Sequence, residues 1–295
     1  MSDHRYYFQT DEAGANRGLE LLDVLFEEQG LPVATMEIDE AKKLWEVSVY
    51  AAGEPDDDLK ARIRACIAEE FPDAEIGLEV FGETDWIAKS LEGLKPVRAG
   101  RFLVHGAHDR DQVRSHDMAI ELEAGQAFGT GHHGTTAGCL EMIEKVMRAH
   151  PAGPGGVNPV LDLGTGSGVL AIAAARLGPV RVLATDIDPV ATTVALGNVR
   201  HNQASGQIDC VTATGFHSTA FSQAGPFGLI IANILARPLM RMAPDIKRHL
   251  APGGSVILSG ILESQRWQVL AAFNGQGMRH VKTLWRNGWV TIHLQ

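Results

Sequence analysis

The chain has 295 residues, is 45% hydrophobic and 21% charged, and carries a formal net charge of -10. A chain this long buries a large core and favours two domains over one. Its longest uninterrupted apolar run, VLAIAAA from Val169, falls far short of the ~20 residues that cross a bilayer, so no membrane partner is expected. The amino-terminal MSDHRYYFQTDEAG has acids where a secretion signal has bases and an apolar stretch. Three cysteines, Cys66, Cys139 and Cys210, are odd in number and far apart, which argues against a disulfide framework or a zinc knuckle. The expected compartment is the cytoplasm.

In chain order, residues 5–82 alternate strand-like and helix-like segments. RYYFQT, VATMEID, LWEVSVYAA and AEIGLEVFG read as strands; NRGLELLDVLFEEQG and DDDLKARIRACIAEEF read as amphipathic helices, the second with acids in its first turn. The order β-α-β-β-α-β is that of a ferredoxin-like α+β unit, assigned here to residues 1–82. It has no clustered His, Cys or glycine-rich loop, so it reads as a recognition domain. Residues 1–80 hold 20 acidic against 7 basic side chains, a balance of -13, whereas the remainder stands at +3. Such a surface repels a nucleic-acid backbone and attracts a basic partner, although the same charge also serves solubility.

A short helix over residues 83–97, closed by Pro96, is the expected connector. Two strand-like runs follow, RFLVHG and MAIELE, and then the loop AGQAFGTGHHGTT opening a helix. From residue 159 the pattern becomes β-α-β-α, with apolar strands PVLDLG, RVLATDID, DCVTAT, LIIAN and GSVILSG between helices. Apolar strands alternating with helices imply a doubly wound, Rossmann-like α/β domain, here residues 98–295. In the tail RHVKTLWRNGWVTIHLQ, Asn287-Gly288 joins two strand-like runs, so an antiparallel hairpin ends the sheet.

VLDLGTGSGVLAI places Gly164, Gly166 and Gly168 between a strand and a helix, where glycine permits positive φ and close approach of a ligand to free N–H groups. A dinucleotide fingerprint would need glycine where Val169 stands, which counts against an NAD-dependent oxidoreductase. The G-x-G-x-G spacing after Asp162 suits a ligand with a ribose and an amino-acid arm but no pyrophosphate. Asp186 ends the next apolar strand, where a carboxylate can accept from both ribose hydroxyls. Asp188, just before Pro189, reads better as a helix N-cap. His132 and His133 are adjacent, but no Cys, Asp or Glu stands at i+3 or i+4, and no metal is expected. Glycine loop, strand-end acid, LAPGG and terminal hairpin together resemble the class I methyltransferases that use S-adenosylmethionine.

Asn233 ends the buried-strand run LIIAN, at the sheet edge where a doubly wound fold holds its ligands. Methyl transfer from a sulfonium is an in-line displacement, so the protein supplies alignment and exclusion of water. An amide oxygen that accepts N–H bonds from an amine aims its lone pair without retaining a proton, so Asn233 reads as the catalytic residue of an N-methyltransferase. The alternative for Asn233 is a buried turn residue. Thr136, at the start of the helix after the FGTG loop, can cap that helix or donate to the ligand.

AFGTGHHGTT, LDLGTGSGVLAIAA, ATDIDPVA, IIANILARPL, LAPGG and LSGIL, with DWIAKSLEGLKPVRAGRFLV upstream, make the chain resemble the ribosomal protein L-eleven methyltransferase family (PrmA) over residues 84–295. The resemblance implies methyl transfer from S-adenosylmethionine to lysine and/or amino-terminal amines of a ribosomal protein. Separately, a basic protein partner, a monomer and no direct nucleic-acid contact are expected. By motif the resemblance places cofactor contacts on Thr136, Gly164, Asp186 and Asn233; Phe128 and Thr130 of the FGTG loop and Asp162, Gly166 and Gly168 of the glycine loop are further expected contacts. A small-molecule amine or a nucleic acid remains the alternative acceptor. Gly134 stands where the family usually has proline, and HGAHDR lacks the family's proline and tryptophan.

Overall fold

A computed structural model describes residues 3–26, 29, 31, 33–39, 42–81, 96–122, 133–150 and 157–295. The chain divides into two compact units, residues 1–89 and 90–295. The first unit runs β1 (Asp3–Thr10), α1 (Glu12–Phe26), β2 (Val33–Asp39), β3 (Leu44–Ala52), α2 (Asp57–Ile67) and β4 (Gly77–Phe81), the order expected from the sequence. Its sheet is ordered β2-β3-β1-β4 and every pairing is antiparallel.

Period-2 burial explains the strands. Tyr6 and Phe8 of β1 share a core with Val47 and Val49 of β3. α1 buries Ala15, Leu19, Leu22 and Phe26, and α2 buries Leu59, Ile63 and Ile67, each a stripe at helical spacing. Each Leu, Ile or Phe side chain so buried contributes about 1.5–3 kcal/mol. The Asp56 carboxylate accepts from Asp58 N at 2.9 Å and starts α2. On β1, Arg5 bridges Glu46 at 2.5 Å and Glu79 at 2.8 Å.

The second unit opens with a three-stranded sheet that the sequence reading did not separate: β5 (Val97–Ala99), β6 (Phe102–His105) and β7 (Met118–Glu121), β5 antiparallel and β7 parallel to β6. Val97 therefore belongs to a strand, whereas residues 83–95 of the expected connector lie outside the described residues. α3 (His133–Ala149) follows, and then β8 (Val160–Leu163), α4 (Val169–Leu177), β9 (Val182–Asp186), α5 (Pro189–His201), β10 (Ile208–Thr212), α6 (Thr219–Ala224), β11 (Phe227–Asn233), α7 (Ala236–His249), β12 (Leu250–Leu262), α8 (Arg266–Asn274), β13 (His280–Arg286) and β14 (Trp289–Leu294).

Seven of these strands form one sheet, ordered β10-β9-β8-β11-β12-β14-β13. The first five are parallel, and β14 runs antiparallel to both neighbours. Alternate residues feed two cores. Leu229 and Ile231 of β11 pack with residues of α3 and α4; Ile230 and Ala232 pack with residues of α7 and α8. That two-sided burial is why these strands read as unbroken apolar runs. The terminal hairpin turns at Asn287 (φ 47) and Gly288 (φ 76), as a tight hairpin requires. Among the described residues no helix is long and apolar enough to cross a membrane.

Candidate active site

The strand order reverses between β8 and β11, and a doubly wound sheet opens its ligand crevice at the carboxyl ends of such strands. The glycine loop leaves β8 there. Gly164, Gly166 and Gly168 have φ of 74, 54 and 82, a left-handed run that residues with a β-carbon resist. At Gly168 an added β-carbon would stand 3.2 Å from that of Ala195, so the loop lies tight against α5. Gly168 also precedes α4 without any side-chain cap, and the helix start faces the loop with its backbone N–H groups.

Asp162 lies at the base of this loop, 0% exposed. Its Oδ2 accepts from Thr165 Oγ1 at 2.6 Å and from Ala171 N at 3.1 Å, tying β8 to the loop and to the first turn of α4. Burial pushes the Asp162 carboxyl up to about 6 against those two hydrogen bonds, and the charge of Asp186 adds to the rise. Asp162 Oδ1 and Ser167 Oγ are buried and have no hydrogen-bond partner among the described residues.

Asp186 ends β9 half-buried, accepting from Gly166 N at 2.9 Å through Oδ2 and from Asp188 N at 3.1 Å through Oδ1. Each oxygen keeps a second lone pair. Asp188 caps α5 by accepting from Val190 N at 2.8 Å, the role its place before Pro189 suggested. Ile187, between the two acids, is 67% exposed. Sequence reasoning passed over it; an aliphatic residue placed just beyond a strand-end acid was the available signal.

Asn233 is the last residue of β11, half-buried and paired in register with Ser259 of β12. Its side-chain amide makes no hydrogen bond to another described residue. The corner that follows it, Ile234, is held between two glycines. A β-carbon at Gly164 would overlap Ile234 Cγ2, and one at Gly260 (φ 77) would stand 2.5 Å from Ile234 O. Thr136 is buried, but α3 already begins at His133. Thr136 thus lies one turn inside the helix, and the capping role suggested for it falls away. Phe128, Thr130 and His132 lie outside the described residues, and no group of metal-ligating side chains occurs among the described ones.

A left-handed glycine cradle at a helix start, a strand-end carboxylate bonded to it and an amide on the neighbouring strand fit a nucleoside with a short charged arm. The fold is that of a class I, S-adenosylmethionine-dependent methyltransferase. The profile described as ribosomal protein L11 methyltransferase (PrmA) matches residues 13–295, and the chain belongs to that family. Two relatives of that name are each 61% identical to it. The protein of Allorhizobium ampelinum aligns over 100% of both chains, and that of Rhizobium johnstonii over 100% of this chain and 99% of its own. The crystal structure of the ribosomal protein L11 methylase of Lactobacillus delbrueckii subsp. bulgaricus, 32% identical, superposes with a TM-score of 0.57 over 68% of this chain and 97% of its own. The chain is accordingly an S-adenosylmethionine-dependent protein methyltransferase.

Proposed function

We propose that this enzyme methylates lysine and amino-terminal amines of ribosomal protein L11, with Asn233 aiming the acceptor nitrogen. The relatives' shared name supports the substrate. The observation that carries the role of Asn233 is its place: an amide at the carboxyl end of β11, one residue from the corner that touches the glycine loop.

When bound, S-adenosylmethionine supplies an electrophilic methyl group. Everything else falls to the chain. Asp186 holds the ribose through its remaining lone pairs, Gly164, Gly166 and Gly168 admit the amino-acid arm, and exposed Ile187 offers an apolar face to the adenine. Asp162 acts from beneath, fixing the loop through Thr165 and Ala171. Phe128, Thr130 and Thr136 complete the cofactor set. A lysine must lose its proton before attack, which at pH 7 costs roughly 4 to 5 kcal/mol for a pKa near 10.4. A neutral amide oxygen orients the free amine without holding that proton back.

In this reading residues 1–82 form the ferredoxin-like recognition domain, residues 83–97 connect it, and residues 98–295 perform the transfer. The acidic front domain meets a basic ribosomal protein, in the cytoplasm, as a monomer and without a nucleic-acid partner. Incubation with labelled S-adenosylmethionine and total ribosomal proteins, followed by mass spectrometry, tests the substrate. Methyl groups are expected on L11 amines; label confined to RNA would refute the assignment. Asn233→Ala is expected to depress kcat by ~10 to 1,000-fold with little change in cofactor affinity. Unchanged turnover would reduce Asn233 to a structural residue.

A further inference from the structure

We infer that Ile234 is a positioning residue that couples the cofactor cradle to the acceptor-aiming amide, through one methyl group seated on Gly164. The inference rests on the role proposed for Asn233.

Ile234 adjoins the end of β11 and is held by two glycines from elsewhere in the chain, Gly260 against its backbone and Gly164 against its side chain. Asn233 is the end of β11, and the backbone of Ile234 is the first turn beyond it. On one side Gly260 presses on that backbone: a β-carbon there would stand 2.5 Å from Ile234 O, 2.8 Å from its C and 3.1 Å from its N. Gly260 is left-handed (φ 77) and lies where the pairing of β12 with β14 slips between Leu258 and Ile261. Such a bulge re-aims the strand and is kept at functional edges. Ser259, just before it, is fully buried and bonded to Thr291 Oγ1 at 3.0 Å, so the bulge is anchored. On the other side Ile234 Cγ2 lies against the α-carbon of Gly164, the first glycine of the cradle.

The arrangement leaves the Asn233 corner little freedom. Its backbone is backed by β12, and its β-methyl is seated on the loop that receives the cofactor. A shift of the loop must displace Ile234, and a shift of Ile234 must turn the adjoining amide. Because in-line transfer tolerates little misalignment, a displacement of about 1 Å can cost on the order of a hundredfold in rate. Cγ2 is the atom that matters. Valine retains it, whereas leucine of equal volume carries its branch one carbon further out and lacks it.

The test compares Ile234→Val with Ile234→Leu, each alone and combined with Asn233→Ala, using full-length protein. The readouts are kcat and KM for the ribosomal protein, affinity for S-adenosylhomocysteine, and melting temperature. Ile234→Leu is expected to lower kcat roughly ten- to hundredfold while cofactor affinity and melting temperature change little. Ile234→Val should stay within about twofold of the parent, and Ile234→Leu should add little to Asn233→Ala because both act through one amide. Full activity of the leucine variant, equal loss in the valine variant, or losses that multiply in the double variant would each overturn the inference. If Asn233→Ala is itself fully active, the underlying assignment fails instead, which separates the two.

Discussion

Asp162 shows how much a single residue's role depends on what lies around it. From sequence it is an acid before a glycine loop and a candidate contact for the cofactor. In the fold it is wholly buried, and its carboxyl is pushed up to about 6 by loss of water. The unfolded chain releases this proton near pH 3.9, so between about pH 4 and 6 the folded state holds a proton that the unfolded state has lost. Stability therefore falls as pH rises through that window, and at neutrality the ionised carboxylate costs about 3 kcal/mol. Asp162→Asn cannot ionise and can still accept from Thr165 and Ala171. Urea unfolding at pH 4 and pH 7 should show the variant gaining about 2 kcal/mol on the parent between the two. A difference independent of pH would mean that Asp162 titrates normally. The place of Asn233 at the end of β11, by contrast, was visible in the sequence, because a polar residue closing an apolar run marks where the strand leaves the core.

Among the elements, α3 is the one whose seating is least visible in its sequence. Its Gly134 and Gly138 are one turn apart and face the terminal hairpin. A β-carbon at Gly134 would stand 3.2 Å from Arg286 O, and one at Gly138 would overlap Thr291 Oγ1. Gly134, where the family usually has proline, thus lies in the first helical turn beside the hairpin. Gly138→Ala sets two effects against each other. Helix propensity favours alanine by up to about 1 kcal/mol, while overpacking against a Thr291 hydroxyl already bonded to Ser259 costs about 1–3 kcal/mol. Because Thr291 is itself buried in the sheet, packing should win, lowering the urea midpoint with an unchanged slope. A raised midpoint would show that α3 can move off the hairpin. The strands and helices with strong periodicity were readable from sequence. The short α6 and β5 were not, since a few residues carry too little pattern to separate strand, helix and loop.

Taken as a whole, the protein concentrates its charge. The -13 of residues 1–80 against +3 for the rest should act at a distance on a basic substrate, accelerating encounter more than tightening the final complex. Raising the ionic strength from about 0.1 to 1 M shortens the screening length from about 10 to 3 Å. The expected result is a roughly tenfold or greater fall in kcat/KM for the ribosomal protein, with binding of S-adenosylhomocysteine largely unaffected. A salt-independent kcat/KM would assign the acidic surface to solubility alone.

The sequence by itself determined what is local. Alternating apolar strands and amphipathic helices specified a doubly wound sheet, three close glycines specified a left-handed turn at a helix start, and Asp188 before Pro189 specified a cap. These follow from backbone geometry and hydrogen bonding within a few residues. Tertiary structure decided the rest. That β14 inserts between β12 and β13, that Asp162 loses its water, and that Ile234 is seated between Gly164 and Gly260 all depend on segments far apart in the chain being packed together. No local pattern encodes those distances, because close packing couples each side chain to neighbours that sequence spacing does not reveal.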